Sequence, residues 1–383
     1  MGKRSCLTAI SLAGVMAVSF PAAAMAASPE FARSEEEWES LRDHVLEYGE
    51  IPDLIAEYNA TVQSNQYEYR RFINKYGKTR EDIAESYREL ADDLESSMTG
   101  DDGMGMISDF QLELQARQMR EMADDTTEDS QVYYLTYCQV EDSLAMSAQS
   151  WFISYYRYQL EFQSAQEQLA ILENQAALTA SEIQAGIATQ ADGYSAQEAV
   201  INQERVMADT EARIENARKN LIVLCGWKES DRPDILTAPE PDLEEIGAID
   251  LQADIQTAEE NNYTLQINRR RLENAWETDN KTSLEQTIAG NRRQIGVSVT
   301  EAWQNLQAAV RAWEQAAAER NAGERDLALA HRSWSAGMIT AYDYEAQQAG
   351  FRDAQRQEQT AKLNLLEALE IYRWNVKGLA DAG

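Results

Sequence analysis

Residues 334–347 read WSAGMITAYDYEAQ, and residues 185–197 read AGIATQADGYSAQ. Each holds a Gly followed three residues later by Thr and six residues later by Asp. Both interrupt segments built from strong helix formers. Gly337 and Gly186 are free to take positive φ and end a helix. Thr340 and Thr189 then stand at the N-cap of the next helix. Asp343 and Asp192 fall at N3, where a carboxylate reaches back to the cap and complements the helix dipole. The pattern predicts a helical hairpin tip, used once in each half of the chain, and capping alone is enough to account for all four polar residues.

Proline placement says how long the flanking helices are. After Pro52, proline occurs only at Pro233, Pro239 and Pro241. Since proline cannot continue a helix interior, the proline-free segments 53–232 and 242–383 fit very long helices. The stretch 228–247, KESDRPDILTAPEPDLEEIG, is the linker between halves. Trp303, Leu306, Val310, Trp313 and Ala317 alternate in spacings of three and four, a coiled-coil seam, with Glu301, Gln304, Gln315 and Glu319 on the opposite face. Leu363, Leu366, Leu369, Tyr372 and Val376 form a second seam. Thr282 and Glu285 read as a capping box after a turn at 279–281. Breaks are expected at 96–109 and 123–130. The expected helices run over about 53–98, 128–184, 190–227, 250–279, 283–335 and 341–378. One of them would be ~80 Å long at 1.5 Å per residue.

The two tips align residue by residue, and so do the segments that lead to them. Residues 41–55 resemble 251–265, with Leu41, Val45 and Ile55 pairing with Leu251, Ile255 and Leu265. The first half carries an additional segment, mostly near 75–130. The division is 1–26 export signal, 27–50 N-terminal segment, 51–232 first helical repeat, 233–248 linker and 249–383 second helical repeat. Lys3 and Arg4, the apolar run 7–20 and Ala24-Met25-Ala26 are the parts of a cleavable signal peptide, with cleavage after Ala26. No later segment reaches ~18 consecutive apolar residues.

Charge and motif content limit the chemistry. The net charge is −32 over 383 residues, which repels nucleic acid and anionic lipid. No HExxH, CxxC, P-loop or GxSxG pattern is present, so neither a cofactor nor an enzymatic activity is expected. Cys138 and Cys225 lie at positions that differ by ~13 Å along an antiparallel hairpin, whereas a disulfide needs Cα atoms within ~7 Å; two packed thiols are expected. The aromatic cluster of Trp151, Phe152, Tyr155, Tyr156 and Tyr158 reads as packing. The Met-rich stretch GDDGMGMISD reads as a turn, and Glu35-Glu36-Glu37 as a solvated helix start.

The export signal, the duplicated long helices and the paired AGxxTxxD turns resemble the TolC-like outer membrane efflux protein family over about 41–380. The chain itself reads as all-α, with very long coiled-coil helices in two repeated hairpins, and the resemblance implies a TolC-like helical-barrel protomer. It implies a homotrimer forming a hollow helical cylinder, a passive conduit for solutes that works with a membrane-fusion adaptor and an inner-membrane pump. The turns after Gly186 and Gly337 would be the tips that close the entrance and meet the adaptor. Asp192 and Asp343 would be tunnel-entrance acids, up to six carboxylates in a trimer, a ring that favours cations. The sequence departs from the family in three places. Strands for a β-barrel are reduced or absent: 279–282 holds none, and only FQLELQ (110–115) alternates, which fits helix equally well. Ile339 stands where the family has Arg, and Ala346 where it has a second Asp. Trp334 replaces a Tyr. The competing reading is a non-channel coiled-coil scaffold or spacer of the cell envelope.

Overall fold

The computed structural model describes residues 33–98 and 105–383. The expected signal peptide and the centre of the Met-rich loop lie outside the described residues. The chain runs through α1 (Glu35–Ser40), β1 (Val45–Leu46), a 3₁₀ turn (Tyr48–Glu50), α2 (Ile51–Tyr58), α3 (Ala60–Tyr76), α4 (Arg80–Ser96), α5 (Gly105–Asp125), α6 (Ser130–Gln184) and α7 (Gln190–Leu224). The second half follows as β2 (Asp234–Ile235), α8 (Leu243–Ala248), α9 (Leu251–Asn261), α10 (Tyr263–Asn274), α11 (Thr278–Ser335) and α12 (Ala341–Trp374). Among the described residues the only strand pairing is the short parallel bridge of β1 with β2.

Two long hairpins dominate. The first joins α6, 55 residues, to α7; the second joins α11, 58 residues, to α12. They lie side by side through α6 and α12, giving a layer in the order α7, α6, α12, α11. Ion pairs fix the register: Arg157 of α6 meets Glu367 of α12 at 2.5 Å, and Glu167 meets Arg352 and Arg356 at 3.3 and 2.8 Å. Glu167 precedes Gly186 by as many residues as Arg356 follows Gly337. Helical rise is constant along each helix, so the two tips sit level at one end of the layer.

The core sits at the other end. One cluster gathers Leu54, Ile55, Phe152, Ile153 and Leu221; a second gathers Ile295, Val299, Leu306, Leu365 and Leu369. Helix α12 serves both, since Leu366 belongs to the first and Leu365 and Leu369 to the second. Each such side chain removed from water contributes about 1.5–3 kcal/mol. The predicted seams are therefore packing seams: Leu306 is fully buried, with Trp303, Val310 and Trp313 against the same cluster. Phe152 is fully buried and meets Tyr48 edge-on at 5.1 Å, and Trp151 and Tyr156 pack against the same cluster. Cys138 and Cys225 are free thiols, Cys225 buried and Cys138 half-buried.

Several expectations are corrected. The single helix expected over 53–98 is three helices. Asn59 leaves helical geometry to cap α3, and Gly77, at φ 81°, ends α3 before Thr79 caps α4. The helix expected over 250–279 breaks at Asn262 and stops at Asn274. The turn lies at 275–277 rather than 279–281, and α11 begins at Thr278. Thr282 is not a cap: its Oγ1 donates to the Thr278 carbonyl inside the helix, 2.9 Å away. The helix starts one turn earlier, after Glu277, so Thr282 falls inside it and its hydroxyl turns back to the preceding turn. FQLELQ is helix within α5. Helix α4 ends at Ser96, inside the break expected at 96–109, but 105–109 already belong to α5 and 99–104 lie outside the described residues; the break expected at 123–130 is present, with Asp129 capping α6.

The additional segment of the first half is the hairpin of α4 and α5. Arg80 closes its base, donating to the carbonyls of Ala123, Asp124 and Thr126 at the C-terminus of α5. The corresponding place in the second half is the three-residue link between α10 and α11. Among the described residues neither place holds a strand.

Candidate functional site at the paired hairpin tips

Each tip is built twice over from the same local chemistry. At the first, Gly186 has φ 73° and Ile187 N–H donates to the Glu182 carbonyl at 2.9 Å while Gly186 N–H donates to Ile183 at 3.1 Å. At the second, Gly337 has φ 69°, with Met338 N–H donating to Ser333 at 2.8 Å and Gly337 N–H to Trp334 at 2.9 Å. Both are Schellman closures, which need a residue without a Cβ at the positive-φ position. The capping boxes that follow are reciprocal. Thr189 N–H and Oγ1 donate to the Asp192 carboxylate at 2.8 and 2.7 Å, and Asp192 N–H donates back to Thr189 Oγ1 at 3.3 Å. Thr340 and Asp343 repeat this at 3.0, 2.7 and 3.1 Å.

These bonds hold both acids ionised. The Asp192 carboxyl is lowered below the usual range by the Thr189 backbone N–H and then its hydroxyl. The Asp343 carboxyl is lowered by the Thr340 hydroxyl and then its N–H. Both side chains remain in water, and each tip therefore ends in a solvated, fixed negative charge.

The tips also display apolar groups. Ile187 is 79% exposed, Tyr194 71%, Met338 71% and Tyr342 78%. The second tip alone is braced by aromatics: Trp334 and Tyr344 stack with centroids 5.0 Å apart and planes 5° from parallel, and His331 lies 5.8 Å from Tyr344. At the matching places of the first tip stand Ile183 and Gly193, and a Cβ on Gly193 would come within 2.7 Å of Ile183 Cδ1. Trp334 is thus a stacking partner across the hairpin.

A second duplicated feature went unread in the sequence. Asn59 caps α3, accepting from Thr61 and Val62 N–H, while its Nδ2 donates to the Leu224 carbonyl at 2.8 Å. Asn262 caps α10, accepting from Leu265 N–H, while its Nδ2 donates to the Gly378 and Ala380 carbonyls at 3.2 and 2.7 Å. Both are buried. Four residues on, Gln63 and Gln266 bond back to the carbonyls of Glu57 and Glu260. Each Asn thus ties the entry of its half to the end of that half's return helix. The signal was present as NATVQ at 59–63 and NYTLQ at 262–266. This register sets Val62 opposite Leu265 and Ile55 opposite Ala258, so the pairing of Ile55 with Leu265 is one heptad out. Heptads of similar pattern mimic one another at that shift.

Among the described residues no group of His, Cys, Asp or Glu is placed to hold a metal, and no helix is long and apolar enough to cross a membrane.

No protein-family model matches the chain, and no curated protein matches it. Solved structures do. The Campylobacter jejuni CmeC outer membrane channel aligns over 96% of this chain and 95% of that one, at 9% identity and a TM-score of 0.50. The outer membrane protein VceC of Vibrio cholerae aligns over 91% and 100%, at 10% identity and a TM-score of 0.47. At this identity the likeness is one of fold, and the CmeC alignment carries it. The resemblance read from the paired turns holds at that level: the chain has the all-α, duplicated-hairpin fold of a TolC-like protomer, with strand content among the described residues reduced to one short bridge.

Proposed function

We propose that the chain is an exported component of the cell envelope. In this reading copies of it close into a ring, a homotrimer by resemblance, and the ring is a passive conduit for solutes. The repeats are 51–232 and 249–383, joined by 233–248. A membrane-fusion adaptor meets the level tips, and an inner-membrane pump supplies the energy. Asp192 and Asp343, with the turns at Gly186, Thr189, Gly337 and Thr340, form the entrance, and its carboxylates favour cations. The Arg that the family places at Ile339 is missing, so the entrance is held more loosely or by other contacts.

The observation that carries this reading is the distribution of buried residues. Among the described residues, none between 166 and 209, and none between 341 and 364, is buried. On α11 only Ala316 and Ala330 are buried beyond Leu306, so the layer has little core of its own toward the tips. Lateral association of copies would supply that core. The internal repeat supports one particular pairing of edges. Within the chain, α6 packs on α12; by the internal repeat, α11 corresponds to α6 and α7 to α12. The free edges α7 and α11 are thus equivalents of two helices already in contact, and a neighbouring copy can repeat that contact until the ring closes.

The helical arm in the place of barrel strands favours the second reading, a coiled-coil spacer that encloses no channel. Electron microscopy and mass measurement on the mature protein, with and without detergent, separate the two. A closed trimer with a continuous lumen is expected. A monomer or dimer with a filled core overturns the conduit.

A further inference from the structure

A cleft of about 480 Å³ lies far from the tips, between the 3₁₀ turn after β1, the linker after β2 and the helix α12. Its size is that of a small-molecule site. Leu366 and Leu369, both fully buried, give it an apolar floor. Glu47, Glu240, Asp242 and Glu370 give its walls four carboxylates. Of these, Glu240 is paired with Lys362 and Asp242 caps α8, while Arg373, the one cation lining the cleft, is engaged by Glu245 and Glu370.

Two features mark it as more than a surface groove. Tyr48 lines the cleft and is 8% exposed, yet its hydroxyl has no hydrogen-bond partner. The ring is held by Phe152, edge-on at 5.1 Å, so the phenol is positioned rather than mobile. A buried hydroxyl without a partner costs about 1–3 kcal/mol. Beside it, the Glu370 carboxylate is buried as well, and its burial pushes its carboxyl up despite Arg373. One neighbouring cation thus leaves this buried acid incompletely compensated. A ligand that brings a positive charge, an N–H donor and an apolar body would complete all three.

We propose that this cleft binds an organic ammonium ion. Its nitrogen lies against Glu370 and the Tyr48 hydroxyl, and its hydrocarbon body lies on Leu366 and Leu369. The inference stands apart from the conduit reading and holds for a ring or a monomer alike.

The probe is 1-aminoadamantane, with 1-adamantanol as the neutral body of the same shape, titrated calorimetrically into the full mature protein. Saturable binding of the amine at one site per chain is expected, with the alcohol at least about tenfold weaker. Tyr48→Phe removes only a hydroxyl that has no partner, so it folds, and it should weaken the amine about tenfold. Glu370→Gln should erase the preference for the amine. Equal binding of amine and alcohol, no saturable binding, or an amine affinity unmoved by Tyr48→Phe overturns the proposal. So does a high-resolution structure with the amine present that shows only a water on the Tyr48 hydroxyl.

Discussion

At the residue scale, one triplet of types does the same work at both tips. Gly, Thr and Asp at spacings of three stop one helix and start the next, and Asp343 and Asp192 reach both bonding groups of their Thr. Thr340→Ala should therefore fray the tip while hardly moving the global unfolding transition, because the tip carries no core and opens locally. Hydrogen exchange across 337–344 checks this: faster exchange there and unchanged exchange in Leu365–Leu369 is the expected result. The pH dependence has a definite sign. The folded-state carboxyls of Asp192 and Asp343 lie below their usual range. Their contribution to tip order is thus complete above the unfolded value of about 3.9, and it is lost as pH falls through the depressed folded value. Asn262 sits at the opposite extreme of burial. Asn262→Ala strands the Gly378 and Ala380 carbonyls and the Leu265 N–H, at a cost of about 1–3 kcal/mol in denaturant unfolding. Asn262→Asp does no better, since a carboxylate cannot donate to those carbonyls. A variant as stable as the parent would deny the clasp its role.

At the scale of elements, the tips and seams were legible because each is a local pattern whose residues answer to one backbone geometry. The helix breaks at Asn59 and Asn262 were not, because each depends on a carbonyl far away in sequence. Asn59 bonds to Leu224, and Asn262 bonds to Gly378 and Ala380. The glycines at those distant ends show how close the approach is: a Cβ on Gly226 would lie 2.4 Å from Tyr58 Cβ, and one on Gly378 would lie 2.8 Å from the Asn261 carbonyl oxygen. The false capping box at Thr282 is the converse case, a correct local pattern overruled by its continuation. The arm of α4 and α5 was visible only as surplus length, since 80–125 shows helix formers without saying what they pack on. Its faces pack chiefly on each other, around Ile83, Ala84, Ala91, Ala116 and Ala123. The second half manages with a three-residue link in its place. Excising 79–127 and joining the ends with that link should accordingly leave a cooperative fold with its Tm within about 5 °C of the parent. Loss of cooperative unfolding would show that the arm is part of the core.

At the scale of the whole molecule, net charge and internal repetition act together. A chain carrying −32 resists unspecific association, so copies must meet through complementary edges. The repeat states which residues those are. Inside the chain, Glu167 on α6 pairs with Arg356 on α12 at 2.8 Å. Shifted by one repeat, Arg356 becomes Arg205 on α7, and the place of Glu167 falls at Ala318, next to Glu319 on α11. Arg205 and Glu319 are both exposed, and neither has an ion-pair partner of its own among the described residues. They stand at matching heights below their tips on the two free edges of the layer. Ile201, 42% exposed on α7, adds an apolar neighbour at the site equivalent to Arg352. The expected contact between copies is thus Arg205 of one with Glu319 of the next. A pair of this kind at a surface contributes at most about 1 kcal/mol, so single charge reversals should weaken assembly only modestly, whereas geometry is the sharper test. Arg205→Cys combined with Glu319→Cys, oxidised in the assembled protein, should give chain ladders that stop at the closed ring, three chains for a trimer. Either cysteine alone should give none. A ladder that runs past three excludes closure at a trimer, and no ladder from an assembled protein excludes the α7 to α11 contact.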